Sequence, residues 1–512
     1  MTGLSSMKGS NPLDMPEIVT MVGHCLPLWK YSLRLGFYDF NPSILLNCTL
    51  VNKTWYNALM PVIWYIYNGF VMRSIPKEVV IKNSRHFRVF FHDRSFSGPF
   101  ECKHLKALSI SWWDTTLLPL IEANTDSMEN LVWKGSPASS PTRPTTLSDL
   151  DYDLLSRMTC TLEELQLSHW TISSRKFIQL LSSCKRLTRL YLTAVEWVDD
   201  DFDPNGLESP TGSPLSLQPS SPQSPQSPSL PISVTDTMYQ QQPGQGISDL
   251  RLDISVSREG AFVDLVRSCP DLENFALYSE STQDPRMLVH VLREHCPKLS
   301  GIEYVLRFSS ALGGYDYMSD SEYSDLILCA RQLKTLKIDI PWLDDAMVSA
   351  LIMQSSTLES LSLRFQMQRS LPMRDADNIC KILKYCTRLK NLSIVFSPHS
   401  LGRDETLRLF NEPWKCLDLE TLELTDVTMA MESVQQGGGG NHDPLNQYPL
   451  QPFHWRLGSA SRAVPDSGNS RSVTCSFAKQ KLFDQIRELP KLRRLSLNHS
   501  TYNVNNSSNS KT

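Results

Sequence analysis

The stretch Cys386-Thr-Arg-Leu389-Lys-Asn-Leu392-Ser-Ile394 decides how this chain folds. Ahead of it, Ile379, Leu383 and Cys386 stand at helical spacing, while Leu392-Ser-Ile394 alternates as a strand does. A single L-x-x-L-x-L run carries no weight, because it is common in any leucine-rich chain. Here it recurs. Apolar variants stand at Leu105-Leu108-Ile110, Met128-Leu131-Trp133, Leu162-Leu165-Leu167 and Leu187-Leu190-Leu192. They resume at Ile247-Leu250-Leu252, Leu272-Phe275-Leu277, Leu299-Ile302-Tyr304, Leu333-Leu336-Ile338 and Leu358-Leu361-Leu363, then at Leu419-Leu422-Leu424 and Leu492-Leu495-Leu497. Mostly about 25 to 34 residues apart, these runs form a repeat, and a repeat dictates architecture before any single residue is interpreted.

A helical stripe precedes most of the triplets. Phe177, Leu180, Leu181 and Cys184 form one; Phe262, Leu265, Val266 and Cys269 another; Met287, Leu288, Val291, Leu292 and Cys296 a third. Each unit therefore reads as helix, tight turn and strand, the length of the larger leucine-rich repeats. Strands neighbour at about 4.8 Å and packed helices at about 8 to 10 Å. That mismatch predicts an α/β leucine-rich-repeat solenoid, with a curved parallel sheet inside and helices outside.

Cysteine placement agrees. Cys184, Cys269, Cys296, Cys386 and Cys416 each lie three residues before a triplet's first apolar residue, with Cys160 and Cys329 within a residue of that register. One thiol per repeat is spaced too far along the stack to form disulfides. It reads as a small apolar plug where helix hands over to strand. No C-x-x-C occurs, which removes the commonest zinc and redox signatures, and His295-Cys296 reads as a packed pair ending a helix rather than a metal pair. No metal or cofactor is expected.

The 512 residues carry a formal net charge of −4 and 41% hydrophobic residues. Without a dense Lys/Arg block, nucleic acid is not an expected partner. Nor is a membrane, since no apolar run approaches a span and MTGLSSMKGS has no secretory pattern. Reduced thiols point to the cytoplasm, the nucleus or both.

Composition breaks the rhythm at residues 199–246 (Ser/Pro/Gln-rich) and 431–474 (with GGGG at 437–440), both expected to be disordered inserts between repeats. A smaller loop spans 136–146. The repeats thus occupy 66–198, 247–430 and 475–497, followed by a polar tail, 498–512, expected to fray. Trp112-Trp113, in the first triplet's register, reads as a cap on the stack. Ser209, Ser213, Ser221, Ser224 and Ser227 each precede proline and are candidates for phosphorylation.

Residues 11–65 have another texture. Pro16 and Glu17 suit a helix start, and Ile18, Val22 and Leu26 are spaced as an apolar face. A long connection, PLWKYSLRLGFYDFNP, leads to a second apolar run, Ile44–Val51, and then a third segment through Trp55 and Leu59 to Ile63-Trp64. Three short helices with more apolar residues than one small core needs call for a partner or a neighbour.

Met15-Pro16-Glu17-Ile18, then Leu45, Cys48, Val51 and Trp55 in the spacing L-x-x-C-x-x-V-x-x-x-W, and finally Ile63-Trp64, resemble an F-box; the long linker from Pro27 to Pro42 departs from that pattern. With the Cys-marked repeats, the chain resembles the F-box leucine-rich-repeat family. The resemblance implies a non-catalytic substrate receptor of an SCF-type cullin–RING ubiquitin ligase. In that reading Pro16, Ile18, Leu45, Cys48, Val51 and Trp55 contact the Skp-type adaptor, although Val51 and Trp55 serve equally as core. The repeats would hold an unidentified protein substrate. Outward positions on the strands are Gln166, Tyr191, Arg251, Asp253, Tyr278, Glu303, Lys337, Arg364 and Glu423; Tyr191, Tyr278 and Arg364 lead because such residues dominate hot spots. No nucleophile–base pair or phosphate loop is signalled, so no enzyme is expected. A leucine-rich scaffold that never meets a cullin is the alternative, and a small-GTPase activator would need a catalytic Arg that the sequence does not signal.

Overall fold

The computed structural model describes residues 13, 15–26, 28–32, 37–93, 100–111, 115–135, 145–198, 246–254, 259–279, 285–306, 319–366, 373–396, 408–409, 411–425, 480–498 and 500–503. The chain divides into two compact units, Met1–Met318 with Cys329–Arg331, and Ser319–Leu328 with Gln332–Thr512.

The first unit opens with α1 (Pro16–Cys25), an antiparallel hairpin of β1 (Trp29–Ser32) and β2 (Phe37–Phe40), α2 (Ser43–Thr49) and α3 (Lys53–Ile63). The three expected helices are present. The connection between the first two, read as a plain linker, carries the hairpin. Strand and helix then alternate: β3 (Ile66–Asn68), α4 (Lys77–Asn83), β4 (Val89–His92), β5 (Ala107–Ile110), α5 (Leu118–Glu122) and β6 (Asn130–Lys134). Next come β7 (Thr145–Thr146), α6 (Asp149–Arg157), β8 (Glu164–Ser168), β9 (Trp170–Ser173), α7 (Ser174–Ser183), β10 (Arg189–Thr193) and β11 (Glu196–Val198). The unit ends with β12 (Asp249–Ile254), α8 (Glu259–Arg267), β13 (Asn274–Ser279), α9 (Pro285–His295) and β14 (Gly301–Leu306).

From β3 to β14 the main strands pair in parallel, in sequence order, while β7, β9 and β11 form a small parallel sheet of their own. Register follows the triplets: Leu108, Leu131, Leu165, Leu190, Leu250, Phe275 and Ile302 oppose one another in turn. All seven are buried. The pleat sends these residues and their i+2 neighbours to one face, where each is shared with the repeats on either side.

The second unit contains α10 (Asp320–Cys329), β15 (Thr335–Ile340), α11 (Asp345–Met353), β16 (Ser360–Phe365), α12 (Met373–Tyr385), β17 (Asn391–Val395), β18 (Thr421–Thr425), β19 (Arg494–Leu497) and β20 (Ser500–Asn503). Strands β15 to β19 again run parallel, with Leu336, Leu361, Leu392, Leu422 and Leu495 in register.

Backbone geometry at the strand entrances fixes the rung spacing. The Glu129 carbonyl accepts from the amides of Glu163 (2.7 Å) and Glu164 (3.0 Å), and the Glu163 carbonyl from those of Thr188 and Arg189. In the second unit the Glu359 carbonyl serves Lys390 and Asn391, and the Lys390 carbonyl serves Glu420 and Thr421. One carbonyl per repeat thus anchors the next strand before the sheet begins. Side chains reinforce it: Asn124, buried, accepts from the Leu105 amide (2.7 Å) and donates to the Cys102 and Leu120 carbonyls. Gln354 does the same for Leu333 and Ile327.

Several expectations are corrected. The first rungs of the stack, from residue 66, are aromatic and not leucine triplets: β3 and β4 pair ahead of β5, with Tyr67 opposite Phe90 and Phe90 opposite Leu108. Tyr67 stacks on Phe87 (5.1 Å between centroids) and Trp64 lies against the same ring, so aromatic area replaces leucine there. Trp112 and Trp113 lie outside the described residues. On α1 the buried positions are Val19 and Gly23, not the face through Val22, which is exposed. A Cβ on Gly23 would meet Leu59 at 2.6 Å, so this glycine permits the close approach of α1 to α3. Met287 is exposed, and α9 buries Leu288, Val291 and Leu292 instead.

Loop and tail boundaries shift as well. Thr145–Thr146, placed in the loop 136–146, form β7. The insert 199–246 lies outside the described residues except Gly246, and 431–474 lies wholly outside them. The tail 498–512 does not fray throughout: Ser500–Asn503 form β20, antiparallel to β19, with Leu495 opposite Tyr502. A short polar strand of reversed direction occupies the edge that another repeat would otherwise extend. Truncation after Asn498 is expected to lower the melting temperature and shift the protein to larger species in light scattering. An unchanged size and melting temperature would exclude an edge-covering role for β20.

The repeat cysteines are plugs, and more. Cys184, Cys269, Cys296, Cys386 and Cys416 are buried free thiols, as is Cys102, which holds the same position three residues before Leu105. The Cys296 thiol also reaches the Cys269 carbonyl (3.7 Å), tying adjacent repeats. Cys160 is the correction: it is exposed. Burial pushes Cys102, Cys184, Cys296 and Cys386 up to about 12. Thiols whose native pKa is raised stabilise the fold fully below the ordinary value of 9.0, and that contribution is lost between there and about pH 12. Under native conditions at mildly alkaline pH, a thiol reagent followed by mass spectrometry should label Cys25 and Cys160 and spare these four. Equal labelling would contradict the packing.

Candidate functional site

Three surfaces carry the residues singled out from the sequence: the N-terminal helices and the strand face of each unit. On the helical surface, α3 is capped by Asn52, whose side chain accepts from the Trp55 amide (2.9 Å). The Trp55 indole Nε1 donates to the Leu13 carbonyl (2.9 Å), so this half-buried ring pins the segment that leads into α1. Leu45 is 1% exposed and belongs to the core, where Thr49 joins it on the buried side of α2. That overturns its assignment to an interface. Cys48 and Ile18 are half-buried, and Pro16 is exposed. Val51 is 62% exposed and thus does not fill the core.

Sequence reasoning missed the residues around them. Leu50 is 82% exposed, Met21 65% and Ile44 51%, with Leu46, Val22, Met15 and Tyr56 also uncovered. Helix α2 is apolar on both sides yet buries only one. The signal was present in Ile44-Leu-Leu, a run too apolar for one face of a short helix.

The strand face of the first unit is different in chemistry. Two rows cross β8, β10 and β12: Glu164, Arg189, Asp249, and two residues on, Gln166, Tyr191, Arg251. They lie on the opposite side of the pleat from the buried leucines. Arg189 is paired with Glu164 (2.8 Å), and Arg251 with Asp249 (3.3 Å). The Arg251 guanidinium sits over the Tyr191 ring, 5.0 Å from its centroid. Burial, then the neighbouring Asp249 carboxylate, raises the Tyr191 phenol above its ordinary value. Tyr278 is half-buried and close enough to Arg251 to act on it electrostatically. The structure therefore brings Tyr191 and Tyr278 around Arg251, which the sequence reading placed on the face without ranking it.

Gln166 and Glu303 are half-buried as well, but Asp253 is buried, which corrects its placement as an outward residue. Arg364 belongs to the second unit. It is exposed, and its Nε lies 3.9 Å from Asp339, a carboxylate 1% exposed that also accepts from Gln366 Nε2 (2.8 Å). Lys337 and Glu423 are half-buried on the same unit's strands. His295 is exposed and only Cys296 is buried, so the pair is not packed as a pair. Ser209, Ser213, Ser221, Ser224 and Ser227 lie outside the described residues. Among the described residues no group of three or more metal-binding side chains gathers, and no helix is long and apolar enough to cross a membrane.

No protein-family model and no curated protein matches the chain. Among solved structures it is similar to one titled "Crystal structure of TLR13-ssRNA13 complex", at 12% identity and a TM-score of 0.29. That match covers 71% of this chain and 55% of the other, so the chain spans about half the length of that protein. The likeness is too loose to bear on fold or ligand. The class rests on the chain itself: a mixed α/β protein whose units stack leucine-registered strands into parallel sheets, in the manner of leucine-rich repeats.

Proposed function

We propose that this chain is the substrate-recognition subunit of an SCF-type cullin–RING ubiquitin ligase. Its N-terminal helices are an F-box that docks a Skp-type adaptor, and its strand faces hold the protein to be modified. The observation that supports this most is the uncovered apolar surface of α1, α2 and the turn that follows α2. Leu50, Val51, Met21 and Ile44 are exposed on a three-helix unit whose sequence has F-box spacing. Side chains of this kind contribute about 1.5–3 kcal/mol each when fully covered, which favours a protein partner over water.

The roles divide by burial. Pro16, Ile18, Cys48 and Val51 remain adaptor contacts in this reading, joined by Leu50. Leu45 shapes the core beneath them, and Trp55 holds the N-terminal segment in place. The chain contributes no chemistry of its own; it brings a target within reach of a ubiquitin-charged enzyme. Co-purification of the full-length chain with the adaptor tests the assignment. Retention of the adaptor through size-exclusion chromatography is the expected result, and separate elution of the two overturns it.

A further inference from the structure

The two rows on β8, β10 and β12 hold hydrogen-bond donors that nothing among the described residues engages. Arg251 commits Nε and Nη2 to Asp249, and Nη1 has no partner among the described residues. Arg189 likewise commits Nε and Nη2 to Glu164. The Tyr191 hydroxyl and the Gln166 amide make no hydrogen bond among the described residues, although Gln166 and Tyr191 are half-buried. Each arginine is thus held in a fixed orientation by its carboxylate, with a donor edge to spare. A pre-oriented guanidinium beside a phenol costs less to order on binding than free side chains would.

We propose that this patch is an anchor site for one carboxylate side chain, Asp or Glu, of an extended segment in the bound protein. The carboxylate would accept from Arg251 Nη1 and the Tyr191 hydroxyl, with the Gln166 amide beside them. Charge decides against the other classes. Glu164 and Asp249 neutralise Arg189 and Arg251, so the quartet has no net charge. A phosphorylated residue, close to a dianion, would meet two fixed carboxylates without surplus positive charge to offset them. A cationic residue would find both carboxylates already paired. An apolar one would bury the spare donors unsatisfied. A single negative charge, planar and able to accept from two donors at once, fits what remains.

The inference deepens the receptor reading by naming what the strand face takes, and its test needs no adaptor. The full-length chain is incubated with immobilised short degenerate peptides whose central residue is fixed as Glu, Gln, Lys or phosphoserine. Retention on the Glu set above the Gln, Lys and phosphoserine sets is expected. Arg251→Gln should lower Glu-set retention about tenfold, as loss of a charge-assisted hydrogen bond does, and Tyr191→Phe should lower it by a smaller factor. Circular dichroism and the melting temperature of both variants should match the unsubstituted chain. Equal retention of Glu and Gln sets, stronger retention of phosphoserine, no retention of any set, or indifference to Arg251→Gln would each overturn the site. If the peptides behave as expected while the adaptor fails to co-elute with the unsubstituted chain, the ligase reading falls and the carboxylate site stands.

Discussion

Replacing Leu361 with aspartate is expected to open the second unit, with strands β15, β16 and β17 losing protection together. Leu361 is 1% exposed and sits between Leu336 on one side and Leu392 on the other. Truncating such a leucine costs about 2–5 kcal/mol, and aspartate adds the burial of a carboxylate with no partner. Set against a typical stability of about 5–15 kcal/mol, that sum consumes most or all of what holds the unit folded. Because each rung is shared by its neighbours, the damage cannot stay in one repeat. Ser362, next along the strand and on the opposite side of the pleat, supplies the control: Ser362→Asp should cost less than about 1 kcal/mol. Hydrogen exchange at the amides of 335–340, 360–365 and 391–395 reads both variants. Slow exchange in Leu361→Asp equal to that of the unsubstituted chain would refute the shared-rung account.

The leucine triplets were legible because burial of both faces of a repeat demands the same residue type at the same register each time. Leu165, Leu190 and Leu250 fall where their spacing puts them. What escaped was the substitution of one kind of apolar area for another. Phe87-Arg-Val-Phe90-Phe-His92 has the spacing of the repeat, but a search framed on leucine passes over it, and Trp64 and Tyr67 hide the preceding rung in the same way. Strand β20 escaped for the opposite reason: Ser-Thr-Tyr-Asn is polar, and an edge strand needs only backbone hydrogen bonds on one side. The hairpin of β1 and β2 is signalled by Trp29-Lys-Tyr31 and Phe37-Tyr-Asp-Phe40, which alternate or carry β-forming residues within a connection conspicuous mainly for its length. The candidate surfaces were half legible. Residue type nominated Tyr191 and Tyr278, but the stacking of Arg251 on Tyr191 depends on the register between strands that the insert 199–246 separates in sequence. Burial could not be read for Leu45 and Leu46, adjacent residues of identical type on one short helix, of which the first is buried and the second exposed.

That split makes the adaptor test sharp. The double substitution Leu50→Asp with Val51→Asp is expected to abolish capture of the Skp-type adaptor while leaving the melting temperature almost unchanged. Both side chains are largely in solvent, so the free protein loses little packing, and surface changes of this kind shift stability by about 0.5 kcal/mol or less. In a complex the same positions would bury two carboxylates against an apolar partner. Losing two anchors and desolvating two charges should weaken binding by about a hundredfold or more. Leu45→Asp must behave otherwise, because Leu45 is core: it should unfold the helical segment and lose capture through misfolding, visible as a drop in helical signal. Trp55→Ala stands between the two, removing the Leu13 contact and loosening the start of α1. Isothermal titration against purified adaptor, read beside thermal melts, separates these cases. Undiminished binding by the folded double variant would place the adaptor elsewhere, and the exposed leucine and valine would then need another partner.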